Sequence, residues 1–281
     1  MTLDTRVVLS VCLLTGWAAG VPAQEISPAA GAHTTHPSEA QPAQQAEQTT
    51  LPNLSEQKDW PDPVADRATF GFLLFDNAEF QRAGGPNALR WDMFGWRGGD
   101  VHRFWFKSEG RQTSSSSQGS EYEVQALYSR LVAPFFDLQA GVRYDQRVRR
   151  GSDPARVYAV VGLQGLSPYR FEIEPALFVS QQGQVSGRLT ASYDVLLSQR
   201  LILQPRLETN VAVQKDEEIG IGAGWNDAEL GVRLRYEVRR EFAPYVGLTW
   251  KESFSATHRL TVQEGGDPGH VVIAVGARMW F

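Results

Sequence analysis

From Arg67 to the last residue, polar and apolar side chains alternate one by one through stretch after stretch, and the connections between these stretches alternate long with short. Alternation with a period of two describes strands that carry one apolar and one polar face. In DLQAGVRYDQR, Asp137, Gln139, Gly141, Arg143, Asp145 and Arg147 share one side, while Leu138, Ala140, Val142 and Tyr144 share the other. DAELGVRLRYEV repeats the pattern, with Asp227, Glu229, Arg233, Arg235 and Glu237 against Ala228, Leu230, Val232, Leu234 and Tyr236. Gln204, Arg206, Glu208 and Asn210 alternate with Leu203, Leu207 and Val211, and Arg170, Glu172 and Glu174 with Phe171, Ile173 and Leu177. Twelve such strands begin near Arg67, Asn87, His102, Glu121, Phe135, Ala155, Tyr169, Gln184, Leu201, Asp227, Pro244 and Gly269. Most are long for a soluble sandwich and suited to a tilted strand that crosses a bilayer.

The odd-numbered connections are long and polar: QRAGGPN, QTSSSSQGS, RVRRGSDP, SQQGQ, QKDEEIGIGAGWN and ATHRLTVQEGGDP. The even-numbered ones are tight: GGD, AP, SP, SQR and REFAP. Bacterial outer-membrane barrels show this asymmetry, with long loops outside, short periplasmic turns and an even strand count. The expected fold is therefore all-β, a single closed antiparallel transmembrane β-barrel of about 12 strands over residues 60–281. The last strand, HVVIAVGARMWF, ends on Phe281, as strands that carry an outer-membrane targeting aromatic do, so Phe281→Ala is expected to weaken insertion. Trp91, Trp96, Tyr144, Tyr158, Tyr169, Tyr193, Tyr236, Tyr245, Trp250 and Trp280 lie near strand ends and are expected to form interfacial girdles. The alternative is ordinary core aromatics, which the mixed charges on the opposite faces disfavour.

If the apolar face meets lipid, the polar face lines the lumen. Its charges are mixed in sign, and most cations are Arg, which pairs bidentately with carboxylates. Arg206, Glu208, Glu229, Arg233, Arg235 and Glu237 are expected to form one internal ion-pair network that fills much of a lumen narrower than a porin's. The net charge of −5 offers no basic surface for nucleic acid.

Ahead of the barrel, Arg6, the apolar Val7 to Gly20 stretch and Val21-Pro22-Ala23 read as a cleavable export signal over residues 1–23. A buried helix is the alternative. The lone Cys12 falls inside the apolar stretch, so neither a disulfide nor a lipid anchor is expected. Residues 24–59 are rich in Gln, Ala, Pro, Thr and Glu and lack aromatics. They cannot bury enough surface to order themselves and are expected to form a disordered periplasmic segment. His33 and His36 in that segment are either solvated or a loose metal-capturing pair.

No phosphate loop, Gly-x-Ser-x-Gly elbow or HExxH helix is present. His258 and His270 flank the last long connection, near Ser253, Ser255 and Asp267. A hairpin turning near Gln263 to Gly266 would bring the two imidazoles nearly opposite each other, within reach of one metal ion, with Asp267 or Glu264 adding a carboxylate. The alternatives are two solvated loop histidines or a hydrolase rim. His102 belongs to the other end of the barrel.

Several long stretches, in order, resemble the copper-resistance protein B family: GWRGGDVHRFWFKSEG from Gly95, DLQAGVRYD from Asp137, GLQGLSPYRFEIEPALFVS from Gly162, LLSQRLILQPRLETN from Leu196 and LRYEVRREFAPYVG from Leu234. The resemblance spans roughly Asp59 to Phe281. It implies a barrel in the cell outer membrane, in contact with lipid, that binds a copper ion or lets it cross in copper homeostasis and resistance, with a periplasmic copper protein as a further candidate partner. A non-specific small pore or a structural barrel is the competing reading. Relatives often carry Met- and His-rich repeats before the barrel, whereas this chain has only Met93 and Met279 past its start and keeps His33 and His36 in the tail.

Overall fold

Each alternating stretch of sequence is a strand in the computed structural model, which describes residues 68–83, 87–114, 119–148, 154–167, 171–263 and 267–281. The expected signal and polar segment, with His33 and His36, lie outside these, as do Tyr169, Arg170 and Glu264. In chain order the strands are β1 (Phe70–Arg82), β2 (Ala88–Gly98), β3 (His102–Thr113), β4 (Ser120–Ala133), β5 (Phe136–Val148), β6 (Ala155–Ser167), β7 (Phe171–Ser180), β8 (Val185–Tyr193), β9 (Val195–Leu196), β10 (Leu201–Ala212), β11 (Gly224–Tyr236), β12 (Phe242–Ser253) and β13 (Gly269–Trp280). All neighbours are antiparallel, and β13 pairs with β1 to close the sheet. At the seam Phe281 N donates to Leu73 O (2.8 Å) and Leu73 N donates to Phe281 O (3.1 Å). Closure leaves no unpaired edge, which a sheet in lipid requires.

β8 and β9 are two pieces of one stave. Arg206 faces Ser192 and Ile202 faces Leu196 in a single register along β10, interrupted only at Tyr193 and Asp194. Pro205, which has no N–H to give, faces Val232 and lies beside that interruption. The barrel therefore has twelve staves, as the alternation predicted. The long connections gather at one end and the short ones at the other. At the short end Phe135 turns the chain between β4 and β5 with φ 67°, a left-handed conformation that costs a side-chain-bearing residue roughly 1 kcal/mol or more.

Burial is inverted relative to a soluble protein. Leu138, Val142, Val161, Leu177, Leu230, Val246 and Ile273 are exposed on the outer face, where lipid would cover them. Asn77, Glu79, Gln81, Lys107, Glu123, Gln139, Arg233 and Arg235 are buried on the inner one.

Two expectations need correction. The last long connection is not an extended hairpin: Ser255–Gln263 forms a helix, α1. Tertiary anchoring overrides its β-branched residues, since Phe254 stacks on Trp225 (4.5 Å between centroids) and Thr257 is buried. The aromatics do not all form girdles either. Tyr144, Tyr236 and Trp250 are exposed outside, but Tyr158 and Tyr245 are buried inside, and Trp96 packs on Trp105 in the lumen. They share the inward parity of their strands, and the lumen must be filled with apolar as well as charged side chains.

Candidate functional site

The lumen is crossed at mid-height by one continuous ion-pair network. Arg188 of β8 is its hub. It donates to both oxygens of Glu123 (3.2 and 2.9 Å) and to Glu109 (3.5 Å), and lies 3.8 Å from Glu208. Glu123 also holds Arg143 (2.8 Å), which pairs with Asp145 (2.6 Å). Glu208 holds Arg206 (3.3 Å) and Arg90 (3.8 Å); Arg90 continues to Glu229 (2.8 Å), which pairs with Lys251. Arg206 reaches Asp92 (2.9 Å) and Asp76 (3.7 Å), and Asp76 pairs with Arg278 (3.0 Å). Charges of alternating sign, the central ones shared between two or three partners, can neutralise one another in a space with little water. A void within the network, between Arg90, Arg206, Glu208, Glu229 and Arg233, is about 10 Å³, room for at most one water.

Aromatic faces hold these cations in place. Trp105, Leu127, Tyr158, Val160 and Phe178 form a buried cluster against Phe94, Trp96 and Ala176. The Arg143 guanidinium lies 4.4 Å from the Phe178 ring centre and 5.2 Å from that of Tyr158. Arg103 lies over Trp96 at 4.9 Å. Such stacking suits Arg better than Lys.

Below the network, toward the short turns, lies a cavity of about 680 Å³. Asp92, Glu109, Arg188 and Arg206 form its ceiling, Phe72, Phe94, Trp105 and Phe178 part of its wall, and Leu131, Pro134, Phe135 and Leu166 its rim. Most charges on its wall are paired: Arg103 with Asp137 (2.7 Å), and Lys107 with Glu174. Glu172 is the exception. It accepts a hydrogen bond from Ser192 Oγ (3.2 Å), and among the described residues no cation stands within ion-pair distance of it.

The structure joins Arg206, Glu208 and Glu229 in one network, as the strand parity predicted. It separates the other three. Arg233 pairs with Glu79 (3.5 Å), which also accepts from Tyr245 Oη (2.9 Å). Arg235 pairs with Asp194 (2.7 Å) at the break between β8 and β9. Glu237 lies past the end of β11, in the turn, and does not reach the lumen network. Parity sets which face a side chain takes, while strand tilt and stagger set which cation it meets.

Arg90 and Lys251 were missed although they share the inward parity of Asp92 and Thr249. Asp76 was hidden by a bulge: the register of β1 shifts after Phe75 on both sides, so Asp76 and Asn77, consecutive residues, both reach the lumen.

His258 and His270 are not opposed. His270 pairs with Lys251 across β12 and β13, whereas His258 sits on α1 with Nδ1 3.2 Å from the Ser253 carbonyl oxygen. His270 has the lumen-facing parity, and its Nδ1 is buried without a partner. His102 opens β3 at the short-turn end, 2.6 Å from Tyr128 Oη. Met93 and Met279 flank Phe75 on adjacent strands, on the outward parity. Among the described residues no group of three or more His, Cys, Asp or Glu is placed to hold a metal ion. The charged donors that face the cavity are carboxylates, with Gln125, Gln164, Thr190 and Ser192 as neutral oxygen donors.

Comparison with known proteins bears on the same region. The family described as copper resistance protein B precursor (CopB) matches residues 69–281. Copper resistance protein B of Escherichia coli is 44% identical over 218 residues, 78% of this chain and 72% of its own length. A copper resistance protein B homolog of Pseudomonas syringae pv. tomato (strain ATCC BAA-871 / DC3000) is 38% identical over the same shares. Among solved structures, the NanC porin superposes with a TM-score of 0.50 at 11% identity, covering 74% of this chain and 98% of the porin, a likeness of fold alone.

Proposed function

The chain belongs to the copper resistance protein B family, and we propose that it serves in the outer membrane as a barrel whose cavity receives a copper ion, its cargo, from the periplasmic side. The observation that carries this reading is the asymmetry of the lumen: a 680 Å³ vestibule beneath a closed ceiling, with Glu172 unpaired on its wall. If the short turns are periplasmic, as in bacterial barrels, the vestibule opens to the periplasm. An arriving cation then meets carboxylate oxygens, and Glu172 is the one that, among the described residues, has no cation within ion-pair distance. Oxygen donors suit the harder, divalent state of copper better than the soft monovalent one. A periplasmic copper protein would be the natural donor, and His33 and His36 in the preceding segment are candidate capturing groups. Above the network His270 is the candidate donor of the His258 and His270 pair, because its Nδ1 is uncommitted.

A non-specific pore is the competing reading. The ion-pair network disfavours it, since Arg188 with Glu123 and Arg206 with Asp92 join strands on different walls and cross the path a solute would take. The test uses purified barrel in liposomes and compares copper uptake with sodium and sugar flux. Uptake of copper in excess of both, slowed by Glu172→Gln, is the expected result. Equal flux of all three solutes would establish a general pore.

A further inference from the structure

At the long-connection end, residues 213–223, between β10 and β11, lie across the mouth of the barrel. The connection is built as a unit. Asp216 and Ile221 exchange both backbone hydrogen bonds (2.8 and 2.9 Å), a 3-10 turn spans Glu217–Ile219, and Gly220 closes the tip with φ 69°. The tip is held by β5 and β6, which the β7 and β8 staves separate from β10. Arg156, on the lumen side of β6, donates to both oxygens of Asp216 (3.0 and 3.2 Å) and to Glu218. Arg147 of β5 donates to the Ile219 carbonyl. The side chains of Arg156 and Asp216 are 6% and 7% exposed and Ile219 is buried, while Glu218 is open to water at the rim, so the Arg156–Asp216 pair is the shielded part of the latch. At the other end of the segment, Gly222 N donates to Thr257 Oγ1 of α1 (2.9 Å). No side chain fits there: a Cβ on Gly222 would lie 2.5 Å from the Ala256 Cβ and from the Thr257 backbone nitrogen.

We infer that residues 213–223 form a lid over the outer mouth, latched by Arg156 and seated on α1. A planar guanidinium grips a carboxylate at two points, which fixes the lid's angle as well as its distance; an ammonium would grip at one. The ends of the lid sit on different walls, so releasing either end frees a strap anchored at one side only. The mouth is then closed twice, by the lid and by the ion-pair network beneath it, and opening the lid exposes the space between them. This arrangement does not depend on which solute the barrel carries.

The test reads access beneath the lid. Ala212 ends β10 on the lumen parity and is buried, and the described residues contain no cysteine to interfere. Ala212→Cys in the full chain carrying Cys12→Ser, in lipid nanodiscs, is treated with a bulky maleimide, with Gln182→Cys, exposed in the long connection between β7 and β8, as the open control. The lid predicts slow labelling of Ala212→Cys alone. Adding Asp216→Asn should raise the rate about tenfold, equivalent to about 1.4 kcal/mol lost from the closed state. Arg156→Lys should give a smaller rise. Gly222→Ala, which displaces the lid at its seat and leaves the latch chemistry intact, should also speed labelling, and it serves if the latch variants do not fold. Labelling of Ala212→Cys as fast as the open control, or an unchanged rate in both the Asp216→Asn and Gly222→Ala backgrounds, would overturn the inference.

Discussion

Replacing Arg188 with Leu removes the hub of the lumen network, and the structure shows where the cost falls. Glu123 keeps Arg143 at 2.8 Å, and Glu208 keeps Arg206 and Arg90. Glu109 keeps nothing, since Arg188 is its ion-pair partner and Asp92 faces it from β2. Breaking a buried pair by deleting one partner costs about 3–5 kcal/mol, chiefly the charge left behind. Glu109 is 24% exposed, through the vestibule, so water can reach it and the lower figure of about 3 kcal/mol applies. If the orphaned charge is the cause, neutralising it should restore stability: Arg188→Leu with Glu109→Gln should recover more than half of the loss, a coupling typical of groups in contact. The assay is urea unfolding in lipid vesicles, read by the loss of folded-barrel mobility on gels, with planar-bilayer conductance alongside. Conductance should rise in the single variant, because Arg188 forms part of the vestibule ceiling. A single variant that unfolds like the parent, or a double variant no more stable than the single, would refute the idea that buried charge balance governs this lumen.

Arg235→Leu should cost less, about 1–2 kcal/mol by equilibrium unfolding, because Asp194 is 38% exposed and can be hydrated once unpaired. Glu172→Gln removes a carboxylate with no cation partner among the described residues; unfolding should shift by under about 0.5 kcal/mol while copper uptake falls, separating a binding role from a structural one. His270→Ala should lower copper retention in titrations of the purified barrel, and His258→Ala should not, because the His258 ring is already engaged by the Ser253 carbonyl.

The twelve staves were legible because alternation is a local consequence of strand geometry, and each strand begins within a few residues of where the pattern starts. Loop asymmetry was legible for the same reason: turn residues act locally. The helix Ser255–Gln263 was not, because it is held there through Phe254 on Trp225 of β11 and Thr257 against Gly222, contacts with distant parts of the chain. The bulge that turns Asp76 inward leaves no periodic trace either, since one inserted residue alters parity only where two partner strands are compared.

By itself, then, the amino-acid order determined which side of the wall each residue of a regular strand takes, because that follows from the pleat and needs no partner. Which charge meets which was decided only when the sheet closed. Arg90 and Glu229 are 139 residues apart, as are Arg206 and Asp92 by 114, and they meet across the lumen because tilt and stagger bring strands from opposite walls to one level. The latch between Arg156 and Asp216, the unpaired state of Glu172 and the separation of His258 from His270 are of the same kind. Each is a relation between walls, and the walls acquire a fixed relation only in the closed barrel.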